Sequence, residues 1–157
     1  MNSNIPSVSD FIHEVGNLVS QFSWPMKHFQ RESETVCVAL TEQDEVFERI
    51  VWVYNTEQMT LRCLLVGENK IDQDRRAEIY ELCSRVNDSL PFGCMEYSFE
   101  EDVIVFRDSA DLELGPLKQL LESTTAKVLN LGDLYSGAMK QVLGGVSAKI
   151  AISMVDE

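Results

Sequence analysis

The apolar positions of the chain change their period several times, and the clearest change falls between Ile71 and Asp108. Ile79, Leu82, Cys83, Val86 and Leu90 recur at i, i+3, i+4, i+7 and i+11, which puts them on one face of a helix. Asp72 is a good N-cap, and Arg75, Arg76, Ala77, Glu78 and Glu81 are good helix formers. Pro91 cannot continue the helix, and Gly93 supplies the turn after it. Met95, Tyr97 and Phe99 then alternate with Glu96 and Ser98, as in a half-buried strand. Glu100, Glu101 and Asp102 make an acidic turn, and Val103–Phe106 is the return strand of a hairpin.

The flanking segments read in the same way. Residues 1–8 are polar and expected to fray. Ser7 or Ser9 can cap a first helix whose apolar face is Phe11, Ile12, Val15, Leu18, Val19 and Phe22, ended by Ser23, Trp24 and Pro25. Residues 26–34 read as a polar connection. Three strands come next: Thr35–Thr41, Glu45–Tyr54 and Met59–Leu65, with turns at Gln43–Asp44 and Asn55–Glu57. Such short turns imply antiparallel neighbours. Beyond an acidic link, 108–113, Pro116 opens a long helix whose stripe runs from Leu117 to Val142, with a kink or break expected near Gly132. Gly144 and Gly145 stop it, and Ser147 caps a short last helix through Val155, although Ile150, Ile152 and Met154 also alternate as a strand would. The expected fold class is α+β, with an antiparallel five-stranded sheet and the order α-β-β-β-α-β-β-α. The whole span, 1–157, reads as one domain, with 146–157 as a short helix or tail.

Composition narrows the function more than the fold. Thirteen Lys and Arg stand against 26 Asp and Glu, for a net charge of −13, and there is no basic run. Phosphate backbones and anionic membranes need cations, so neither is an expected partner. The start of the chain carries no signal-peptide pattern, and no apolar run approaches the ~18 residues of a membrane span, so the expected location is cytoplasmic.

The chemistry-bearing residues are scattered. Cys37, Cys63, Cys83 and Cys94 are far apart, with no CxxC, and read as small buried hydrophobes. Only His13 and His28 are available as imidazole bases or ligands, and each reads as a surface residue. Glu100, Glu101 and Asp102 are adjacent carboxylates at a solvated turn, and Asp108, Asp111 and Glu113 match no EF-hand spacing. Gly144-Gly145-Val146-Ser147 lacks the GxxxxGK[ST] of a phosphate loop. No catalytic, cofactor-binding or metal-ligating residue is expected.

The run Asp74-Arg75-Arg76-Ala77-Glu78-Ile79-Tyr80-Glu81-Leu82-Cys83-Ser84-Arg85-Val86-Asn87-Asp88-Ser89-Leu90-Pro91-Phe92-Gly93, a helix closing on Asn, Leu-Pro and Gly, resembles the YbjN family. The resemblance extends over roughly residues 35–145, through the two-strand return into a long helix near Leu114. It implies a fold like that of type III secretion chaperones, small acidic homodimers that bind extended segments of other proteins. The implied role is protein binding, chaperone-like or regulatory, and not catalysis. The family's description as a sensory transduction regulator names no mechanism. Asn87, within the resembling run, is expected to hydrogen-bond the turn after its helix.

One pattern asks for a partner. Glu45–Tyr54 is apolar on both parities, with Trp52 and Tyr54 on one and Phe47, Val51 and Val53 on the other. A sheet with one wet face should alternate. The central helix, a second copy of the chain or a different protein are the three candidate coverings. The expected contacts are Trp52 and Tyr54 on the strand, with Ile79 and Val86 on the central helix, in a homodimer that also binds a protein partner. The alternative function is a small-molecule sensor with an apolar pocket between sheet and long helix.

Overall fold

The computed structural model describes residues 5–41, 46–68 and 70–155. Helix α1 (Val8–Ser20) opens on a capping box: Ser7 Oγ accepts from the Asp10 N–H at 3.0 Å, and the Asp10 carboxylate accepts from the Ser7 N–H at 3.1 Å. The Tyr54 hydroxyl donates to the Pro6 carbonyl. Residues 5–8 are therefore held in place rather than frayed.

The sheet has six strands, one more than the pattern predicts. Met26–Arg31, expected as a connection, is β1 and pairs antiparallel with β2 (Glu34–Leu40). Lys27 to Arg31 are all exposed, because β1 is an edge strand. A strand that buries neither face needs no apolar alternation, so its sequence carries no strand signal. Next come β3 (Phe47–Asn55), β4 (Thr60–Gly67), β5 (Cys94–Ser98) and β6 (Val103–Asp111). The order across the sheet is β1-β2-β3-β4-β6-β5, antiparallel throughout. Strand β6 overruns its expected end at Phe106: Asp108–Asp111 pair with Thr60–Cys63, so most of the acidic link is strand. The turn at Gln43–Asp44 lies outside the described residues.

The ladder between β3 and β4 shifts between Phe47 and Arg49. A bulge of this kind moves one residue to the opposite face. Phe47 therefore joins the face of Ile50, Trp52 and Tyr54, against its parity in the sequence, and packs edge-on to Phe106 with centroids 5.9 Å apart.

All helices lie on that one face. Asp72 precedes a single 3₁₀ turn (Gln73–Arg75) and makes no side-chain cap; α2 proper is Arg76–Ser89. Gly93 takes a φ of +70° where the chain turns into β5. Helix α3 (Leu117–Leu143) is continuous through Gly132; of the expected kink or break, the break does not occur. The reason for this glycine is contact: a Cβ there would lie 2.6 Å from Leu65 Cδ2 and 3.0 Å from the Phe47 ring. The segment after Gly145 forms α4 (Ala148–Ser153) and docks on α2. Glu78 accepts from the Ala148 N–H at 2.7 Å, and Arg75 donates to the carbonyls of Val142 and Val146, both at 2.8 Å. Ala148 and Ala151 face inward while Ile150 and Met154 are half exposed, because only small side chains fit so close an approach.

Gly132→Ala should lower the unfolding free energy by about 1–3 kcal/mol through overpacking, although alanine favours a helix by about 1 kcal/mol. Gly137→Ala on the same helix, where a Cβ meets nothing within 4 Å, should raise it. Urea unfolding of the two variants checks this; equal shifts would rule out the contact role of Gly132.

Candidate functional site

The helices leave the other face of the sheet open, and strand register decides what lies on it. Phe29, Val36 and Val53 form one row across β1–β3. Val38, Val51 and Leu64 form the next row across β2–β4, and Val66 pairs with Val105 in the row beyond. Each row is offset from the last, so the apolar residues make one band running diagonally over the sheet. The band floors a hollow of about 440 Å³ whose lining reaches from Phe29 and Arg31 on β1 to Ser98, Glu100 and Glu101 at the β5–β6 hairpin. Strands at opposite edges line one hollow, so the sheet curves toward this side. No helix covers Val36, Val53, Val66 or Val105, yet they are only 4–7% exposed. Neighbouring side chains close over this floor.

Paired charges flank the band. Arg62 meets Glu34 and Arg107 meets Glu96, both at 2.6 Å; on the other flank Arg49 meets Glu48 at 2.7 Å and Glu101 at 2.5 Å. These pairs are partly wet and add little stability, but they hold long side chains upright as walls. The two ends are not balanced. Lys27 and Arg31 on β1 make no ion pair among the described residues, and neither does Glu100 at the hairpin. The hollow thus has a basic end and an acidic end.

The residues expected as partner contacts lie inside the chain. Trp52, Tyr54, Ile79 and Val86 are fully buried. The Trp52 indole N–H donates to Thr125 Oγ1 of α3 at 2.9 Å, and Tyr54 stacks on Phe11 of α1 at 4.7 Å. A side chain already enclosed by its own helices has no surface to offer, so this expectation is corrected: the apolar residues with surface on the open face are Phe29, Val38, Val51 and Leu64, while Val36, Val53, Val66 and Val105, only 4–7% exposed, support them. Their signal in the sequence was the alternation that sets Val36 with Val38 and Val51 with Val53, but only the register joins those strands into one band.

The other candidates disperse. Glu101 pairs with Arg49, whereas Asp102 pairs with Arg76 at 2.9 Å and accepts from the Tyr97 hydroxyl. Asp111 accepts from the Glu113 N–H at 2.9 Å, while Asp108 is buried beside Lys127, 3.9 Å away. His13 contacts Asn17, and His28 is exposed on β1. Burial pushes the Cys37 and Cys83 thiols up to about 12, and pushes Cys63 up as well, so these three stay protonated at neutral pH. Asn87 makes a double hydrogen bond to Met95, accepting from its N–H at 2.8 Å and donating to its carbonyl at 3.0 Å. It clamps the end of α2 to the start of β5.

A family model described as "YbjN: Putative bacterial sensory transduction regulator" matches residues 24–141, well over half of the chain. The chain belongs to the YbjN family. The YbjN match takes in all six strands, and so the whole open face, together with α2 and nearly all of α3. It ends before α4, the helix docked on α2. No curated protein and no solved structure matches the chain.

Asn87, exposed at the end of α2, and the buried Asp108 each generate a prediction. Asn87→Ala leaves the Met95 N–H and carbonyl without their partner and should cost about 2–3 kcal/mol in urea unfolding. Desolvation raises the pKa of Asp108, partly offset by the Lys127 charge and the Ser109 N–H. The folded chain therefore holds this proton to higher pH than the unfolded chain, whose carboxylate titrates near ~4. Stability is lost as pH rises through that raised value. Asp108→Asn, which has no charge to bury, should gain in Tm over the parent as pH rises from about 3 to about 8; a difference that does not vary with pH would refute this.

Proposed function

We propose that the chain is a non-enzymatic regulatory domain that acts by holding an apolar segment of another protein against the open face of its sheet. The observation that carries this reading is the diagonal apolar band that no helix covers, with surface at Phe29, Val38, Val51 and Leu64 and bordered by charged pairs. Isolated apolar side chains are ordinary on a surface, but a continuous band rimmed by polar groups is the usual composition of a contact surface. The family's description as a regulator supports the same role. The dispersal of the carboxylates and the protonated state of three thiols support binding over catalysis. The chaperone-like element lies in the trough itself, which holds a segment rather than a whole folded surface.

The sensor reading places a ligand between sheet and long helix. At Gly132, α3 packs so closely on Leu65 and Phe47 that an added Cβ would force a side chain to move, which speaks against a cavity at that point and favours protein binding on the opposite face. A homodimer cannot be built on Trp52, Tyr54, Ile79 and Val86, which are interior; one built on the open face would compete with the partner.

A photo-crosslinking residue at Val51, introduced in the source cells, should capture one defined protein. The capture should be lost with Leu64→Asp and absent when the probe stands at Asp88 on the outer side of α2. The same set of proteins from both positions would overturn the reading. Light scattering over a dilution series would also do so if it gave a dimer that Val51→Asp dissociates.

A further inference from the structure

We infer that the segment held on the open face is an amphipathic helix of the partner, laid along the diagonal band with its basic end toward the β5–β6 hairpin and its acidic end toward β1. This rests on the protein-binding reading above and commits it to one shape of occupant. Backbone chemistry selects the helix. Strands β2, β3, β4 and β6 pair on both sides, so over them the floor offers side chains and no free N–H or C=O; of the strands under the floor, β1 alone keeps one edge unpaired. An extended peptide lying across it would bury its own unpaired backbone groups, each at a cost. A helix satisfies those groups internally and presents an apolar stripe with polar flanks. The band has the matching form, apolar along its centre and charged on both sides.

Shape favours a rod over a second copy. A second copy packed face to face would set one hollow against another and give Phe29, Val38, Val51 and Leu64 few contact atoms. A rod about 10–12 Å across fills a hollow that a flat or concave surface cannot. From Phe29 to Val105 the band crosses five strands and shifts two rows, about 23 Å, the length of about 15 helical residues.

The ends set the charge of the occupant. Arg31 at the β1 end favours an acidic residue, and Lys27, which shares that face by register, strengthens the preference. Glu100 favours a basic one at the hairpin, where Glu101 divides its charge with Arg49. Along the flanks the charges are already paired, so the partner helix needs none there.

The test uses synthetic peptides of 15 residues with a Leu/Ile stripe, read by fluorescence anisotropy against the full chain. One carries Lys at one end and Glu at the other, a second has the same composition with the charges interspersed, and a third is the first with a central Pro. The first should bind, gaining helicity by circular dichroism. The second and third should bind at least about tenfold more weakly. Val51→Asp, and independently Leu64→Gln, should abolish binding while leaving the folded spectrum unchanged, since both side chains are only partly buried and lie outside the main core. The Lys27→Glu/Arg31→Glu variant should bind the first two peptides equally. Equal binding of the proline peptide, indifference to the charge order, or no binding of any peptide would overturn the helix. A specific cross-link at Val51 would then still stand for the protein-binding reading, so the two fail separately.

Discussion

The close seat of α3 on the sheet governs the rest of the molecule. At Gly132 the helix comes so near Leu65 and Phe47 that no methyl fits, and at Thr125 its hydroxyl takes the indole proton of Trp52. These two points set the helix over β3, β4 and β6. Trp52 and Tyr54 consequently lie inside, the bulge at Phe47 fills the space under the helix, and one face of the sheet is fully used. A buried indole N–H without an acceptor would be costly, so Trp52 and Thr125 constrain each other.

Because α1, α2 and α3 all choose that face, the fold is two layers with an unmatched third surface. The two faces differ in kind. The inner one holds large and irregular side chains, Trp52, Tyr54, Phe47 and Phe106, that only a fitted cover can enclose. Apart from Phe29, half exposed at the β1 end, the outer one holds valines and one leucine, small enough to be shielded by their neighbours and by Arg–Glu pairs. Such a face tolerates water better than an aromatic face would, and it can open to a partner without the domain losing its core. A family described by regulation rather than by a reaction is consistent with a chain whose distinctive feature is a surface and not a cluster of reactive groups.

Much of this was legible from residues alone. The stripe Ile79, Leu82, Cys83 and Val86 is the buried face of α2, Ser7 caps α1, and Asn87 ties the end of α2 to Met95 in β5. The edge strand β1 was invisible, because it buries neither face and so has no period to show. Asp108–Asp111 read as a loop because their partners, Thr60–Cys63, are distant in sequence. Gly132 read as a helix breaker because propensity is local, whereas its contact with Leu65 is not.

Residue order alone was enough for the class of the protein, the positions of its main helices, four of its strands over most of their length, the residues that must be buried, and the acidic balance that disfavours nucleic acid. These depend on side-chain period, caps and composition, all local quantities. Which apolar parity of β3 is covered was settled by packing in three dimensions. Period-2 alternation says that two faces exist but not which one the helices take, and a single bulge can move a residue such as Phe47 between them. The candidate surface therefore passed from Trp52 and Tyr54 to Val51, Val53 and their cross-strand neighbours, and register alone made those scattered valines one continuous band.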